Sequence, residues 1–347
     1  MSIELLAALS NADSIASNET EVRKVLCQEL DGLPFTKCYD GLGSLIFSKE
    51  SKETNKSIMI CGHLDEVGFM VRTISETGLM YLMVVGGVKP LAQHFQKVRI
   101  TTFDGQKIIG FVSASYRNSM TEELICDIGA SSYEEVVSLG IEVGNMVCFD
   151  STFEELAPTS MYMGKALDNR IACYIMAQLM KDIAYKEVPI TIHFAFTSSE
   201  EVGIRGAKTS TKLVNPDSVF VIDVATYSDS TTRNHLNQRQ VGKGPILTHF
   251  DRTLAPNLQM IAFIKKIASQ YQIPLQLDMF SSGGTDGGQA HLVNEGKPTV
   301  VTIVPVRHGH CPYSLVSMRD INQMIDLYRA MIMNCSAAVC DQFQSFT

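Results

Sequence analysis

The chain lacks several features that would direct its reading elsewhere. None of its nine cysteines (27, 38, 61, 126, 148, 173, 311, 335 and 340) forms a Cys-x-x-Cys pair, which argues against an iron–sulfur or structural zinc site. The count is odd, and several lie in apolar runs such as Ile171-Ala172-Cys173-Tyr174, the pattern of buried free thiols in a reducing compartment. No apolar run approaches membrane-spanning length. The start, Met1-Ser2-Ile3-Glu4-Leu5, carries an acid where a signal peptide has basic residues. A soluble, cytoplasmic protein without a membrane partner is therefore expected. There is no block of like charge, and the formal net charge of -8 argues against nucleic acid as a partner. Internal repeats, low-complexity tracts and linkers are also missing.

What is present is a chain of 347 residues, 45% apolar, long enough for two domains or for one large α/β domain with an insertion. Residues 2–10 read as a short helix, and Asn18 reads as the N-cap of a second, with Val22, Val25, Leu26 and Leu30 at helical spacing. Asp40-Gly41-Leu42-Gly43 reads as a turn between strands. Ser57-Ile58-Met59-Ile60 opens a buried strand. From about 70 to 160 short β-type runs dominate, including 80–85, 98–102, 108–112 and 146–149, with a brief helix at Tyr133–Ser138. This texture predicts a small barrel or sandwich with a structural or assembly role. Beyond 160, strands are expected at 188–197, 219–224, 275–280 and 299–306. They alternate with helices at 169–183, 203–213, 256–272 and 319–338, the pattern of an α/β sheet covered on both faces. The strand near 57–63 belongs naturally to that sheet.

The candidate chemistry sits at strand ends. His63-x-Asp65 closes the first buried strand and sets an imidazole and a carboxylate on one side of the backbone. A nearby acid can orient a metal-binding ring. Asp168, just before a helix, reads as an N-cap if taken alone. Glu200-Glu201 falls where a parallel strand ends, the place where open α/β sheets bind ligands. Asp223 lies inside the apolar strand Val221-Ile222-Asp223-Val224, where a carboxylate needs a hydrogen bond, a cation or a metal. His308 and His310 follow the last strand. Together these His, Asp and Glu side chains, without thiolates, suit two divalent cations (zinc, cobalt or manganese) in a hydrolytic centre. Of the adjacent glutamates, one would bind metal while the other handles protons.

The segments Gly62-His63-x-Asp65-Glu66-Val67-Gly68-Phe69, Lys165-Ala166-x-Asp168-Asn169-Arg170, Ser199-Glu200-Glu201-Val202-Gly203-x-Arg205-Gly206, Asp223, Gly283-Gly284-Thr285-Asp286-Gly287-Gly288 and Arg307-x-x-His310 together resemble metallopeptidase family forty-two. This group of dinuclear aminopeptidases includes glutamyl and deblocking enzymes and tetrahedral assemblies. The resemblance spans essentially the whole chain. It implies a phosphorylase/hydrolase-like three-layer αβα catalytic domain formed by 1–69 and 161–347, with 70–160 as an inserted β-barrel for dimerisation and assembly into a dodecamer. It implies that His63 and Asp223 hold one metal, Glu201 and His310 the other, and that Asp168 bridges both. Glu200 would be the general base and acid, and Asp65 would orient His63. Short unblocked peptides are the implied substrates. Two departures stand out: many relatives have Tyr-x-His-Ser where this chain has His308-Gly309-His310-Cys311, and Gln where it has Ser199.

Two other readings compete. Some relatives carry the label endoglucanase, but glycosidases work with two carboxylates and no metal. A catalytically degenerate assembly protein would have lost the base or a ligand, and here all are kept. Gly242-Lys243-Gly244 lacks P-loop spacing and reads as a turn, Ser281-Ser282 lacks a positioned histidine, Asp286 reads as a helix cap, and the helix with Lys265 and Lys266 as a surface helix.

Overall fold

The structure, a computed structural model, describes residues 3–118, 120–157, 159–227 and 239–346. Helices α1 (Ile3–Asn11) and α2 (Thr20–Glu29) lead the chain. Asn18 is not the cap of α2. Glu19 stands at that position, and its buried carboxylate makes no capping bond. Instead it accepts from Ser198 Oγ at 2.6 Å and Ser199 N at 3.2 Å, so the start of α2 is fastened to the turn that carries Glu200. Strands β1 (Thr36–Tyr39) and β2 (Leu45–Lys49) form a hairpin. Its turn is closed by Asp40 Oδ1, which accepts the N–H groups of Leu42 and Ser44, both at 2.9 Å.

Strand β3 (Ser57–His63) is buried throughout, as an interior parallel strand should be. The chain then leaves the sheet and closes a six-stranded barrel from β4 (Gly68–Ile74), β5 (Met80–Val85), β6 (Gln96–Thr101), β7 (Lys107–Arg117), β8 (Met120–Asp127) and β9 (Met146–Phe149). Helix α3 (Tyr133–Ser138) lies between the last two and is capped by Ser132 Oγ, which accepts from Glu135 N at 3.2 Å. The barrel has its own core, with Phe69 edge-on to Phe149 and Val98, Ile100 and Val112 fully buried.

After β10 (Glu154–Glu155) and β11 (Met161–Gly164), α4 (Leu167–Ile183) crosses the sheet, buried on nearly every side. Its buried polar side chains, Asn169 and Arg170, are met by hydrogen bonds, as an interior requires. Then follow β12 (Thr191–Thr197), α5 (Arg205–Val214), β13 (Ser218–Tyr227), β14 (Ile246–Thr248), α6 (Leu258–Gln270), β15 (Gln276–Asp278), α7 (Gly287–Ala290), β16 (Thr299–Arg307), β17 (Ser314–Ser317), α8 (Met318–Asn334) and α9 (Ala337–Phe343). The expected helix at 319–338 breaks at Cys335, because Ser336 caps a new helix through Val339 N. The expected strand at 275–280 shrinks to β15, which pairs with β14.

The large sheet runs β1-β2-β12-β3-β13-β16-β17-β11-β10, with β12, β3, β13 and β16 parallel at its centre. Helix α4 packs on one face and α5 with α7 on the other, which gives the three-layer αβα arrangement. Thr197 pairs with His63, and Val221 with Cys61. The carboxyl ends of three neighbouring strands therefore lie level, with His63 beside Asp223.

Candidate metal centre and catalytic cleft

Close packing sets His63 in place. A Cβ on Gly62 would stand 2.5 Å from Ala172 Cβ and 2.9 Å from Ile222 O, so only glycine lets β3 lie this near α4 and β13. The His63 ring is buried, and its Nδ1 lies 3.0 Å from the backbone carbonyl of Asp65. An Nδ1–H donated there leaves the Nε2 lone pair facing outward. The carboxylate of Asp65 also lies near the ring, with Oδ1 3.6 Å from Nδ1, and its two oxygens accept the N–H groups of Glu200 at 2.9 Å and Glu201 at 3.0 Å. Asp65 thus holds the ring through its main chain and the two glutamates through its side chain.

Asp168 sits between two imidazoles. His63 Nε2 is 3.2 Å from Oδ1, and His310 Nε2 is 3.2 Å from Oδ2. On the first side Glu200 Oε2 and Asp223 Oδ1 lie 3.8 and 4.0 Å from His63 Nε2. On the second, Glu201 Oε1 lies 3.3 Å from His310 Nε2. Asp168 is not the cap its position in the sequence would allow: the next residue, Asn169, makes that bond, its Oδ1 accepting from Ala172 N at 3.2 Å, while both Asp168 oxygens face the imidazoles. Asp223 is oriented by Asn169 Nδ2 at 3.1 Å and by Val224 N at 2.7 Å. The neighbour His308 is exposed, and its carbonyl accepts Ser314 Oγ at 3.1 Å. It is His310 whose ring enters the cluster.

The barrel supplies a contact of its own. Gly87, beyond β5, offers its carbonyl to His310 Nδ1 at 3.0 Å, and a Cβ on Gly87 would meet that nitrogen at 2.8 Å. His310 therefore also turns Nε2 toward acids.

The electrostatics follow from this crowding. Burial and the nearby carboxylates of Asp223, Glu201 and Asp286 raise the Glu200 pKa well above the usual range, against the pull of His63. Burial and Asp168 do the same for Asp223. Burial opposes a charge on His63, but contact with Asp168 and Asp65 wins and raises it well above normal. His310 is likewise pushed up to about 11 by Asp168 and Glu201 despite burial. Asp168, held between the two rings, falls below the carboxylate range although burial opposes this. The raised values describe lone pairs crowded together with too little positive charge. Asp168 Oδ1 and Glu201 Oε1 are buried without an aligned hydrogen-bond donor, and neutral imidazoles leave only lone pairs to face them. Divalent cations fit this donor set of nitrogen and oxygen.

The residues line a cleft of about 660 Å³ that also includes Ile204, Thr226, Arg239, Phe280 and Ser282–Thr285. Arg239 is the one lysine or arginine among the described lining residues, and its Nε already lies 2.5 Å from Asp278 Oδ2. A larger groove of about 860 Å³, at the opposite end of β16, contains none of the candidate ligands.

The model of the M42 glutamyl aminopeptidases matches residues 43–327. The chain belongs to that family. The protein FrvX of Escherichia coli (strain K12) is 34% identical across 100% of this chain and 99% of its own. The TET aminopeptidase of the marine sediment archaeon Thaumarchaeota archaeon SCGC AB-539-E09 superposes with a TM-score of 0.93, at 32% identity and with 98% of each chain covered. The TET1 peptidase of Pyrococcus horikoshii, which can assemble into a tetrahedron or a large octahedral shell, shares the fold with a TM-score of 0.85, at 24% identity over 96% of this chain and 99% of that one. Membership places the chain among metal-dependent aminopeptidases. No described helix is long and apolar enough to cross a membrane.

Three participants in this M42 site escaped the sequence reading. Asn169 orients Asp223, and its position beside Asp168 was the only signal. Gly87 holds His310 from a module assigned no chemistry. Asp286 makes no capping bond; instead its buried Oδ2 accepts from Thr197 Oγ1 at 2.6 Å. Gly242-Lys243-Gly244 is a turn, and the N–H groups of its two glycines are bound by Asp320 at 2.6 and 2.7 Å.

Proposed function

We propose that the chain hydrolyses the N-terminal peptide bond of short, unblocked peptides as a dinuclear metallo-aminopeptidase. The observation that carries this reading is Asp168, whose two oxygens face two different imidazoles, each with a further carboxylate of its own. In this reading His63 and Asp223 hold one divalent cation, Glu201 and His310 the other, and Asp168 spans both; zinc or cobalt suits the set, as does manganese. Bound there, the cations supply Lewis acidity to the scissile carbonyl and acidify the attacking water. Glu200 is the acid left without a metal. Its raised affinity for protons suits it to take one from the water and give it to the leaving amine. Asp65 keeps Glu200 and Glu201 on opposite sides of Asp168 through their backbone N–H groups.

The same reading divides the chain into a catalytic unit, 1–69 and 161–347, and an inserted assembly unit, 70–160. The placement of all six barrel strands between Gly68 and Phe149 supports it. An exposed apolar surface on the barrel includes Leu91, Phe95 and Phe111, the last two stacked at 5.9 Å, and suits self-association to dimers and onward to a dodecamer. A cytoplasmic location agrees with the nine free thiols.

The test is hydrolysis of paired free and N-acetylated peptides before chelation, after it, and after return of each metal. Release of only the first residue, from free peptides alone and only with metal, is expected. Internal cleavage, equal attack on acetylated peptides, or a folded protein inactive with zinc, cobalt and manganese would overturn the reading.

A further inference from the structure

The segment Gly283–Gly288 lines the cleft and is held unusually firmly. Asp251 Oδ1 accepts both the N–H and the hydroxyl of Thr253 at 2.7 Å, and Asp251 Oδ2 accepts Thr285 Oγ1 at 3.1 Å. Thr253 in turn lies so near Gly284 and Gly288 that a Cβ on either would stand 2.6 or 2.3 Å from its side-chain atoms. This wall is joined to the strand that leads into the glutamates by the 2.6 Å bond from Thr197 Oγ1 to Asp286 Oδ2. Thr197 is the last residue of β12, three residues before Glu200, and its carbonyl accepts Leu64 N at 2.7 Å, next to His63. Asp286 is 1% exposed, and its Oδ1 has no hydrogen-bond partner. Leaving a buried carboxylate oxygen unpaired is costly, and helix capping does not explain its retention, because its side chain makes no capping bond to α7.

We infer that Asp286 is a positioning residue, which through Thr197 fixes Glu200 relative to the cleft wall on which the substrate rests. Its carboxylate acts as a hydrogen-bond acceptor, and its charge, the least of the influences on Glu200 named above, is secondary to that bond. Small displacements of a proton-transfer group lower turnover steeply while binding survives. The inference rests on the peptidase reading above.

The experiment measures kcat and KM on a free peptide, together with metal content by elemental analysis, for Asp286→Ala, Asp286→Asn, Thr197→Val and the Asp286→Ala/Thr197→Val double variant. Thr197→Val keeps the shape of the side chain and removes only the donor, so it tests the bond even if Asp286→Ala folds poorly. Asp286→Ala and Thr197→Val should each lower kcat about ten- to a hundredfold with KM within about twofold and metal content unchanged. Asp286→Asn, which keeps an acceptor for Thr197, should restore kcat, and the double variant should be no worse than either single change. Wild-type kcat in Thr197→Val, a loss in Asp286→Asn equal to that in Asp286→Ala, or additive losses in the double variant would overturn the role of Asp286. An inactive wild-type protein would instead overturn the peptidase reading itself.

Discussion

Two buried groups of acids lie within a few residues of each other in this fold, and their charges are met in opposite ways. Asp13 and Glu66 surround Lys165, which is completely buried, at 3.0 and 2.6 Å. Arg99 and Lys107 close on Asp13 at 2.7 and 2.5 Å, and Arg170 reaches Glu66 at 3.3 Å. Although burial opposes it, these cations draw the Asp13 pKa far down, and Lys165 is raised by Glu66 and Asp13 against the same opposition. Among the described residues the cleft's acids have no such lysine or arginine beside them, Arg239 being paired with Asp278, and there the carboxylates of Glu200 and Asp223 rise instead. Cys148, Asp13 and Glu66 bring ligand-type atoms within 4.8 Å of one another, as do His63, Asp168 and Glu201. Only the second group still needs positive charge. Clustering of acids does not identify a metal centre; clustering without basic partners does.

The largest effect expected from breaking this contrast lies on the cation-poor side. Glu200→Gln should lower kcat roughly a thousandfold or more while both metals stay bound, because the candidate ligands are untouched. Turnover within tenfold of wild type, in protein of unchanged metal content, would remove Glu200 from the proton path. Asp223→Asn should lose metal and activity together. In the metal-free protein it should nonetheless raise the melting temperature, since one of several crowded carboxylates has been neutralised. A fall in metal-free melting temperature would mean that the repulsion inferred here is absent.

On the satisfied side the order reverses. Lys165→Met removes the central cation and leaves Asp13 and Glu66 buried beside each other, a change that costs about 3–5 kcal/mol when a buried pair is broken. Denaturant midpoints of metal-free protein should show that loss, and Lys165→Met should also be the more damaging of the two for expression. A midpoint equal to wild type would show that water or Arg99 replaces the lysine.

The contrast also marks what could be read in advance. His63, Glu200 and Glu201 were legible because they follow apolar strands, and strand ends are where α/β sheets bind ligands. Asp223 was legible because a carboxylate in an apolar strand demands an explanation. The partition of the acids was not. Lys165 and Arg170 reach Ala12 O, Leu9 O and Leu64 O, contacts made across more than a hundred positions of sequence that no local pattern encodes. Gly87 touches His310 from 223 positions away. Asp168 and Asp286 both looked like caps because the sequence shows only that an acid precedes a helix. The capping bond that Asn169 makes in place of the one, and the Thr197 bond of the other, decide against that.

The smallest effect comes from a histidine buried outside both groups. His193, on β12, has Ser48 Oγ at 2.7 Å and no acid, and burial pulls its pKa down to about 4. A lowered folded-state pKa gives stability that is present above the unfolded value near 6.5 and lost as pH falls toward 4. His310 has the opposite sign: its raised pKa gives metal-free protein stability that is full below 6.5 and lost as pH climbs toward about 11. Metal-free melting temperatures should therefore decline on both sides of pH 6.5, for two different reasons. His193→Gln should flatten the acid side alone, by about 1–2 kcal/mol because the ring is partly exposed and Ser48 can turn to accept from it. Metal should flatten the alkaline side alone, by replacing protons on His63 and His310. An unchanged acid limb in His193→Gln would place that titration elsewhere. An alkaline decline that survives metal loading would separate it from the cleft and weaken the contrast between the two groups.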